Sequence, residues 1–233
     1  MIIMNKHIII AGLPKCGTSS LHYYLTQHPD IITPKKKEIR FFNQNNDYNI
    51  KTYKKLLNGN DKDKYTIDST PYYSWRFNFN VPSKIKNYLP ETKIILMFRN
   101  PAERLFSNFL MNNPNGDINK EYNKYLKNTV QKNISQYSKI LNNWNYFDNK
   151  KNLKVILSED LYSNELNITN EIFKFLNLYQ LTKIHTKIIS PKKPRQFIKM
   201  TNDTRKKILE IYKDEIINFE KTSGLETKWL NDK

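Results

Sequence analysis

Two glycines, Gly12 and Gly17, lie between an apolar run and a helical pattern in a chain that has only five glycines. The segment reads GLPKCGTSS, and its spacing G-x-x-x-x-G-T-S nearly matches the phosphate-binding loop pattern G-x-x-x-x-G-K-S/T. Backbone N–H groups and a helix N-terminus form a concave anion site in such loops. Lys15 stands inside this loop instead of after the second glycine. The segment predicts an anion site without the usual nucleoside-triphosphate lysine; a glycine turn that merely joins strand to helix is the simpler alternative.

A second group of polar residues follows a later apolar run, in the segment ILMFRNPAERLFSNF at 95–109. Arg99 comes directly after the run, where the carboxyl ends of strands carry ligand sites in open α/β folds. Ser107 lies about two helical turns further on. Both residues are therefore candidates to bind a second phosphate. The alternative is that Arg99 pairs with Glu103 and that Ser107 is a surface hydroxyl.

Strands and helices that alternate along the chain are expected to position these residues. Apolar runs predict buried strands at 7–12, 65–69, 92–98 and 153–158. Helical periodicity predicts helices at 18–27, from Pro101 onward, through Ile134, Tyr137, Leu141 and Trp144, around Ile172, Phe173 and Leu176, and along Ile208, Ile211, Tyr212, Ile216 and Phe219. This order predicts an α/β fold, with one domain over residues 1–233 and a mainly parallel central sheet flanked by helices. Residues 33–64 and 179–200 show no clear period, which is typical of functional loops.

Composition narrows the class of protein further. Lys and Arg number 39 and Asp and Glu 22, so the formal net charge is +17, which favours an anionic partner. Cys16 is the only cysteine, so we expect no intramolecular disulfide and a reducing, cytoplasmic setting. The sequence predicts neither a membrane span nor a signal peptide. The four histidines are scattered, and no His/Cys/Asp cluster has the spacing of a metal site.

Several motifs together resemble a known family. GLPKCGTSSL and RNPAERLFSNF resemble the two cofactor signatures of sulfotransferases that use 3′-phosphoadenosine 5′-phosphosulfate (PAPS). Further segments occur in the order of the heparan-sulfate-type branch: HPDI, KKKEIRFFN at 35–43, DSTPYYSW at 68–75, SQYSKILNNW at 135–144, and a terminal helix that ends near Trp229. The resemblance spans nearly the whole chain and implies a P-loop-like sulfotransferase fold.

The resemblance also implies a reaction and a set of site residues. A sulfuryl group would pass from PAPS to an acceptor hydroxyl and leave the 3′,5′-bisphosphate PAP, with no metal. The catalytic residues would be Glu38 as general base and Lys15 beside the leaving phosphate. The implied cofactor-binding residues are Lys15, Cys16, Gly17, Thr18 and Ser19 at the 5′-phosphosulfate, Arg99 and Ser107 at the 3′-phosphate, and Lys193 and Arg195 in a late basic loop. Pro194 stands where the family often has glycine. The side chain of Cys16 is interpreted as a filler of its position in the loop.

The acceptor is expected to carry a hydroxyl group on a carbohydrate-containing or anionic molecule. Some of the lysines in the run Lys35, Lys36 and Lys37, together with neighbouring basic residues, are predicted to border its cleft. Ser69 and Arg40 stand where heparan-type enzymes commonly have Lys and His, so the resemblance does not extend to heparan sulfate itself.

The same residues are compatible with other roles and functions. Glu38 could merely balance the neighbouring lysines, and His22 is then the next candidate for a base. A P-loop-type nucleotide kinase would require a lysine after Gly17, where Thr18 stands. A nucleic-acid-binding module would require a basic face interleaved with stacking aromatics, which the sequence does not show, so we expect no nucleic-acid partner.

Overall fold

A computed structural model describes residues 6–43, 49–58, 63–74, 80–113, 115–145, 147, 151–187 and 199–231. The described residues divide into two compact units. The first contains those between 6 and 98 and between 143 and 187, and the second those between 99 and 142 and between 199 and 231.

A parallel sheet forms the centre of the first unit. Its strands are β1 (Lys6–Gly12), β2 (Ile31–Ile32), β3 (Tyr65–Asp68), β4 (Lys93–Phe98) and β5 (Leu153–Leu157), in the order β2-β3-β1-β4-β5. Every neighbouring pair is parallel, and β1 lies between β3 and β4, with Ile8 opposite both Ile67 and Lys93. Residues 7–12 of β1 are all buried. Continuous burial explains why these strands appear as apolar runs rather than as alternating patterns.

α-Helices occur in both units. The α-helices of the described residues are α1 (Thr18–Leu25), α2 (Ile50–Leu56), α3 (Asn80–Tyr88), α4 (Pro101–Asn112), α5 (Ile118–Leu126), α6 (Thr129–Ile134), α7 (Tyr137–Asn143), α8 (Ser158–Ser163), α9 (Glu165–Phe175) and α10 (Asn202–Ser223). Phe41–Asn43 and Pro71–Tyr73 form short 3₁₀ helices. The predicted α/β class with a mainly parallel sheet is therefore confirmed.

The second unit is helical. Helix α4 begins as predicted at Pro101, where the Asn100 side chain accepts hydrogen bonds from the backbone N–H groups of Ala102 and Glu103. Such a cap satisfies N–H groups that have no partner within the helix. Helix α10 packs on α4 and α5, and the Phe219 and Trp229 rings stack with their centroids 5.6 Å apart.

Several sequence-based boundaries need correction. The helix predicted through Ile134 and Trp144 is two helices, because α6 ends at Ile134 and α7 begins at Tyr137. Ile211 does not face inward as predicted, since its side chain is 57% exposed. It lies one position from the buried Tyr212, about 100° around the helix. The terminal helix ends at Ser223 rather than near Trp229.

No helix within the ranges given above combines the length and the apolar character that a bilayer span requires.

Candidate active site

The predicted anion-binding loop lies between β1 and α1. The Leu13 backbone N–H donates to the Met97 carbonyl of β4 at 2.8 Å, and the Cys16 N–H donates to the Leu13 carbonyl at 3.2 Å. The Ser158 hydroxyl, at the start of α8, donates to the Cys16 carbonyl at 2.7 Å and is 3.0 Å from that of Phe98. These bonds fix the loop against the carboxyl ends of β4 and β5, the edge of the sheet at which open α/β folds bind ligands.

The two glycines of the loop meet different constraints. A Cβ atom at Gly12 would come within 2.8 Å of Ser74 Cβ, so this position needs glycine for close packing. Gly17 adopts a φ of +84°, in the left-handed region that L side chains rarely adopt. A Cβ atom there would also come within 2.8 Å of the Tyr162 hydroxyl. Glycine is therefore required by backbone conformation only at the second position, directly before α1.

We expect Gly17→Ala to destabilise the fold measurably. An alanine forced into the left-handed region costs roughly 1–2 kcal/mol, and displacement of Tyr162 adds to that cost. Gly224→Ala is the matched control, because Gly224 has a φ of +69° and open space around a built Cβ. Urea unfolding of both variants checks the prediction. A loss no larger in Gly17→Ala than in Gly224→Ala would show that Tyr162 imposes no constraint.

The remaining loop residues differ in burial. Lys15 is half-buried and has a φ of +72°. The Cys16 side chain is fully buried, with its Sγ 3.9 Å from the Pro14 carbonyl. Thr18 is buried and Ser19 half-buried in the first turn of α1. The hydroxyl groups and the helix N-terminus supply the type of donors that a phosphate or sulfate group needs.

Glu38 lies in a segment held by the end of β3. Asp68, the last residue of β3, is fully buried and accepts hydrogen bonds from the Ile39 N–H at 3.3 Å and the Thr70 hydroxyl at 2.6 Å. The hydroxyls of Tyr53 and Tyr73 donate to its other oxygen at 3.1 and 2.8 Å. Burial raises the pKa of Asp68, and these four hydrogen bonds oppose the shift.

Two further bonds complete the attachment of this segment. The Ser69 N–H donates to the Lys37 carbonyl at 2.9 Å, and the Arg40 N–H donates to the Thr70 hydroxyl at 3.1 Å. The backbone on both sides of Glu38 is thereby fixed. Sequence reasoning missed the role of Asp68; the available signal was an aspartate at the end of an apolar run, opening the motif DSTPYYSW.

The Glu38 carboxylate has two cationic neighbours. Arg40 donates to Glu38 Oε2 from Nη2 at 2.7 Å and from Nε at 3.1 Å, and its guanidinium lies over the Tyr72 ring at 4.4 Å from the centroid. Lys37 Nζ lies 3.7 Å from Glu38 Oε1. Lys35 and Lys36 are exposed, so the three lysines are not equivalent. The arrangement fixes the orientation of the carboxylate and leaves its side chain 27% exposed.

Lys37 joins this segment to the anion-binding loop. Its Nζ donates a hydrogen bond to Ser19 Oγ at 2.6 Å, across 18 positions of the sequence. Burial lowers the pKa of Lys37, while the adjacent Glu38 carboxylate acts in the opposite direction. Two of the sequence-predicted groups, the loop and Glu38, are thus brought together within the first unit.

His22 of α1 contacts Ser69, the residue that follows β3. Its Nδ1 lies 2.7 Å from Ser69 Oγ. Burial, and secondarily the charge of Lys37, lowers the pKa of His22 to about 4. The imidazole is therefore neutral at neutral pH, where it forms a neutral pair with the serine.

The other four predicted cofactor residues are not among the described residues of the first unit. Arg99 and Ser107 belong to the second unit, where Arg99 Nη2 lies 3.5 Å from Glu103 Oε2 and Glu103 also pairs with Arg205. Ser107 is half-buried on α4. Lys193 and Arg195 lie outside the described residues. A phosphate-binding role for these four residues remains a prediction.

Within the described ranges, no three His, Cys, Asp or Glu side chains converge as a metal ion would require. The chemistry supported by these residues is anion binding next to a fixed carboxylate.

Comparison with known proteins supplies the context for this geometry. The sequence profile of a family described as "Sulfotransferase domain" matches residues 5–231. The membrane-associated sulfotransferase kil1 of Dictyostelium discoideum is 34% identical over 111 residues, or 46% of this chain and 23% of that protein. The bifunctional heparan sulfate N-deacetylase/N-sulfotransferase of Drosophila melanogaster is 26% identical over 205 residues, or 74% of this chain and 20% of that protein. The chain thus spans less than a third of the length of these relatives.

A solved structure shares the fold. The crystal structure of a sulfotransferase from Alicyclobacillus acidocaldarius superposes with a TM-score of 0.75 at 19% identity, and the match covers 98% of this chain and 100% of that one. At this identity the likeness concerns the fold.

Proposed function

Because this chain belongs to the sulfotransferase domain family, we propose that it transfers the sulfuryl group of PAPS to a hydroxyl of a carbohydrate-containing acceptor and releases PAP. The observation that carries this proposal is the hydrogen bond of 2.6 Å from Lys37 to Ser19, which brings the Glu38 segment up to the anion-binding loop. Group transfer needs both a base for the acceptor hydroxyl and a binding site for the donor, and this contact joins the two.

The residues of the loop fit the 5′-phosphosulfate of PAPS. Gly17 gives the backbone the left-handed turn that precedes α1, and Thr18, Ser19 and Lys15 provide hydroxyl and ammonium donors of the kind that bind such anions. In the proposal, Cys16 contributes backbone only, since its side chain is fully buried.

A second group of residues is proposed for the nucleotide. Arg99 and Ser107 would hold the 3′-phosphate, and Lys193 and Arg195 would cover the nucleotide. We also propose that the two units together form one sulfotransferase domain over residues 1–233, since the family match runs from residue 5 to 231.

The proposed chemistry divides between two side chains. Glu38 takes the proton of the acceptor hydroxyl as the hydroxyl oxygen forms the new bond to sulfur. Arg40 holds the Glu38 carboxylate in position. The Lys15 ammonium stabilises the negative charge that develops on the bridging oxygen as the bond to sulfur breaks. PAPS, when bound, supplies the electrophilic sulfur and a phosphate leaving group. An in-line displacement of this kind depends mainly on positioning and charge stabilisation.

The acceptor class follows from the charge of the chain and from the name of one relative. The net charge of +17 favours an anionic or sugar-rich acceptor, and the Drosophila relative is named for heparan sulfate. We therefore propose a hydroxyl on a carbohydrate-containing molecule, without assigning heparan sulfate. The cytoplasmic setting stays a prediction from the single cysteine.

The proposal predicts a clear order of nucleotide affinities. PAP should bind more tightly than 5′-AMP, because an arginine and a hydroxyl at the 3′-phosphate would add charge-assisted bonds of roughly 1.5–3 kcal/mol each. Isothermal titration calorimetry with PAP, 5′-AMP, and ATP with Mg²⁺ measures this order, and thermal shifts should follow it. Equal affinity for PAP and 5′-AMP would remove the assignment of Arg99 and Ser107, and preferential binding of ATP with Mg²⁺ would favour a nucleotide kinase.

A further inference from the structure

Lys37 occupies a position that the proposed mechanism has not used. Its ammonium lies 2.6 Å from Ser19 Oγ in the first turn of α1 and 3.7 Å from Glu38 Oε1. Its side chain is only 27% exposed, whereas Lys35 and Lys36 are exposed. Of the three consecutive lysines, Lys37 is the one whose charge is directed toward the proposed site.

The position of the ammonium relates it to the reacting atoms. A general base must lie within hydrogen-bond reach of the hydroxyl oxygen, and that oxygen must approach the sulfur to about 3–3.5 Å before the bond forms. A cation 3.7 Å from a Glu38 oxygen is then within reach of the sulfuryl oxygens as well. The Ser19 hydroxyl, which now accepts its hydrogen bond, lies in the turn where the donor anion would bind.

The Lys37 ammonium would reduce electrostatic repulsion in the proposed site. The Glu38 carboxylate and the sulfuryl group are both negative and must come close together, with the acceptor oxygen between them. A positive charge beside both lowers their mutual repulsion, and partial burial strengthens such interactions relative to water. Removal of Lys37 from water costs solvation, which is consistent with the lowering of its pKa.

We infer that Lys37 is a further catalytic residue, which binds the sulfuryl group of PAPS and keeps the Glu38 carboxylate next to it. This inference rests on the proposed function. It assigns Lys37 to the sulfuryl group and leaves the 5′-phosphate to the loop backbone and Lys15.

Binding measurements test the inference without an identified acceptor. Calorimetry would compare PAPS with PAP, which lacks the sulfuryl group, for the wild type, Lys37→Met, Lys37→Arg and the surface control Lys55→Met. We expect Lys37→Met to weaken PAPS binding about 10- to 100-fold, as for the loss of one charge-assisted hydrogen bond, and to weaken PAP binding much less. Lys37→Arg should retain most of the preference for PAPS, and Lys55→Met all of it.

The opposite outcomes are distinct. If the wild type binds PAPS and Lys37→Met keeps the wild-type ratio of PAPS to PAP affinity, the assignment of Lys37 is wrong while the proposed function stands. If Lys37→Met lost affinity for PAPS and PAP equally, or if its thermal unfolding midpoint fell together with its PAPS affinity, Lys37 would have a structural role. If the wild type binds neither PAPS nor PAP, the proposed function and this inference both fail.

Discussion

Replacement of Glu38 by Gln is expected to lower turnover about 10²–10⁴-fold and to leave PAP affinity nearly unchanged. The amide keeps the size and one acceptor oxygen for Arg40, but it cannot take the proton of the acceptor hydroxyl. The backbone around residue 38 is held by Asp68 and Thr70, so the substitution should not shift the segment. An acceptor would first be identified with labelled PAPS and pools of carbohydrates, and turnover and PAP affinity would then be measured side by side.

A matched carboxylate provides the control for this experiment. Glu171 lies in the same unit and pairs with Lys154 at 3.3 Å, so Glu171→Gln makes the same chemical change in a surface ion pair. Its turnover should equal that of the wild type. If Glu38→Gln also retained most of its turnover, the carboxylate would only balance Lys37 and Arg40, and the base would have to be sought elsewhere. His22 would be tested next, since a pKa of about 4 leaves its imidazole neutral and able to accept a proton at neutral pH.

Local patterns were sufficient to predict the main elements that build the site. The four predicted strands are found within one residue of each predicted end, because buried parallel strands appear as continuous apolar runs. The glycine spacing located the loop before α1, and Pro101 located the start of α4. The two-residue strand β2 is too short to give a pattern, and the break between α6 and α7 falls within an uninterrupted apolar periodicity.

The contacts that assemble the site could not be predicted in the same way. Lys37 meets Ser19 across 18 positions, Asp68 meets Ile39 across 29, and His22 meets Ser69 across 47. Such pairs depend on which strands become neighbours in the sheet, and no period of a single sequence encodes that order. A run of three lysines likewise appears as one solvated surface, although in the fold Lys37 is half-buried and the other two are exposed.

Lys15→Ala should impair both binding and turnover, unlike Glu38→Gln. An ammonium that contacts the phosphosulfate in the ground state contributes a charge-assisted bond, so its loss should weaken PAP binding by roughly 1.5–3 kcal/mol. The negative charge on the bridging oxygen grows as the bond to sulfur breaks. Turnover at saturating PAPS should therefore fall by a further factor of about 10²–10³, the usual effect of removing one group that stabilises a developing charge.

The two-part effect distinguishes a catalytic lysine from one that only raises the local charge. Lys55→Ala removes the same charge from the exposed surface of α2 and should change neither quantity. If Lys15→Ala weakened PAP binding while turnover at saturating PAPS stayed constant, the residue would bind ground state and transition state equally and would not assist the leaving group. If it changed neither, Lys15 would not contact the donor at all. The loop geometry and the proposed transfer together require that Lys15→Ala lowers both PAP affinity and turnover. They require that Lys55→Ala lowers neither.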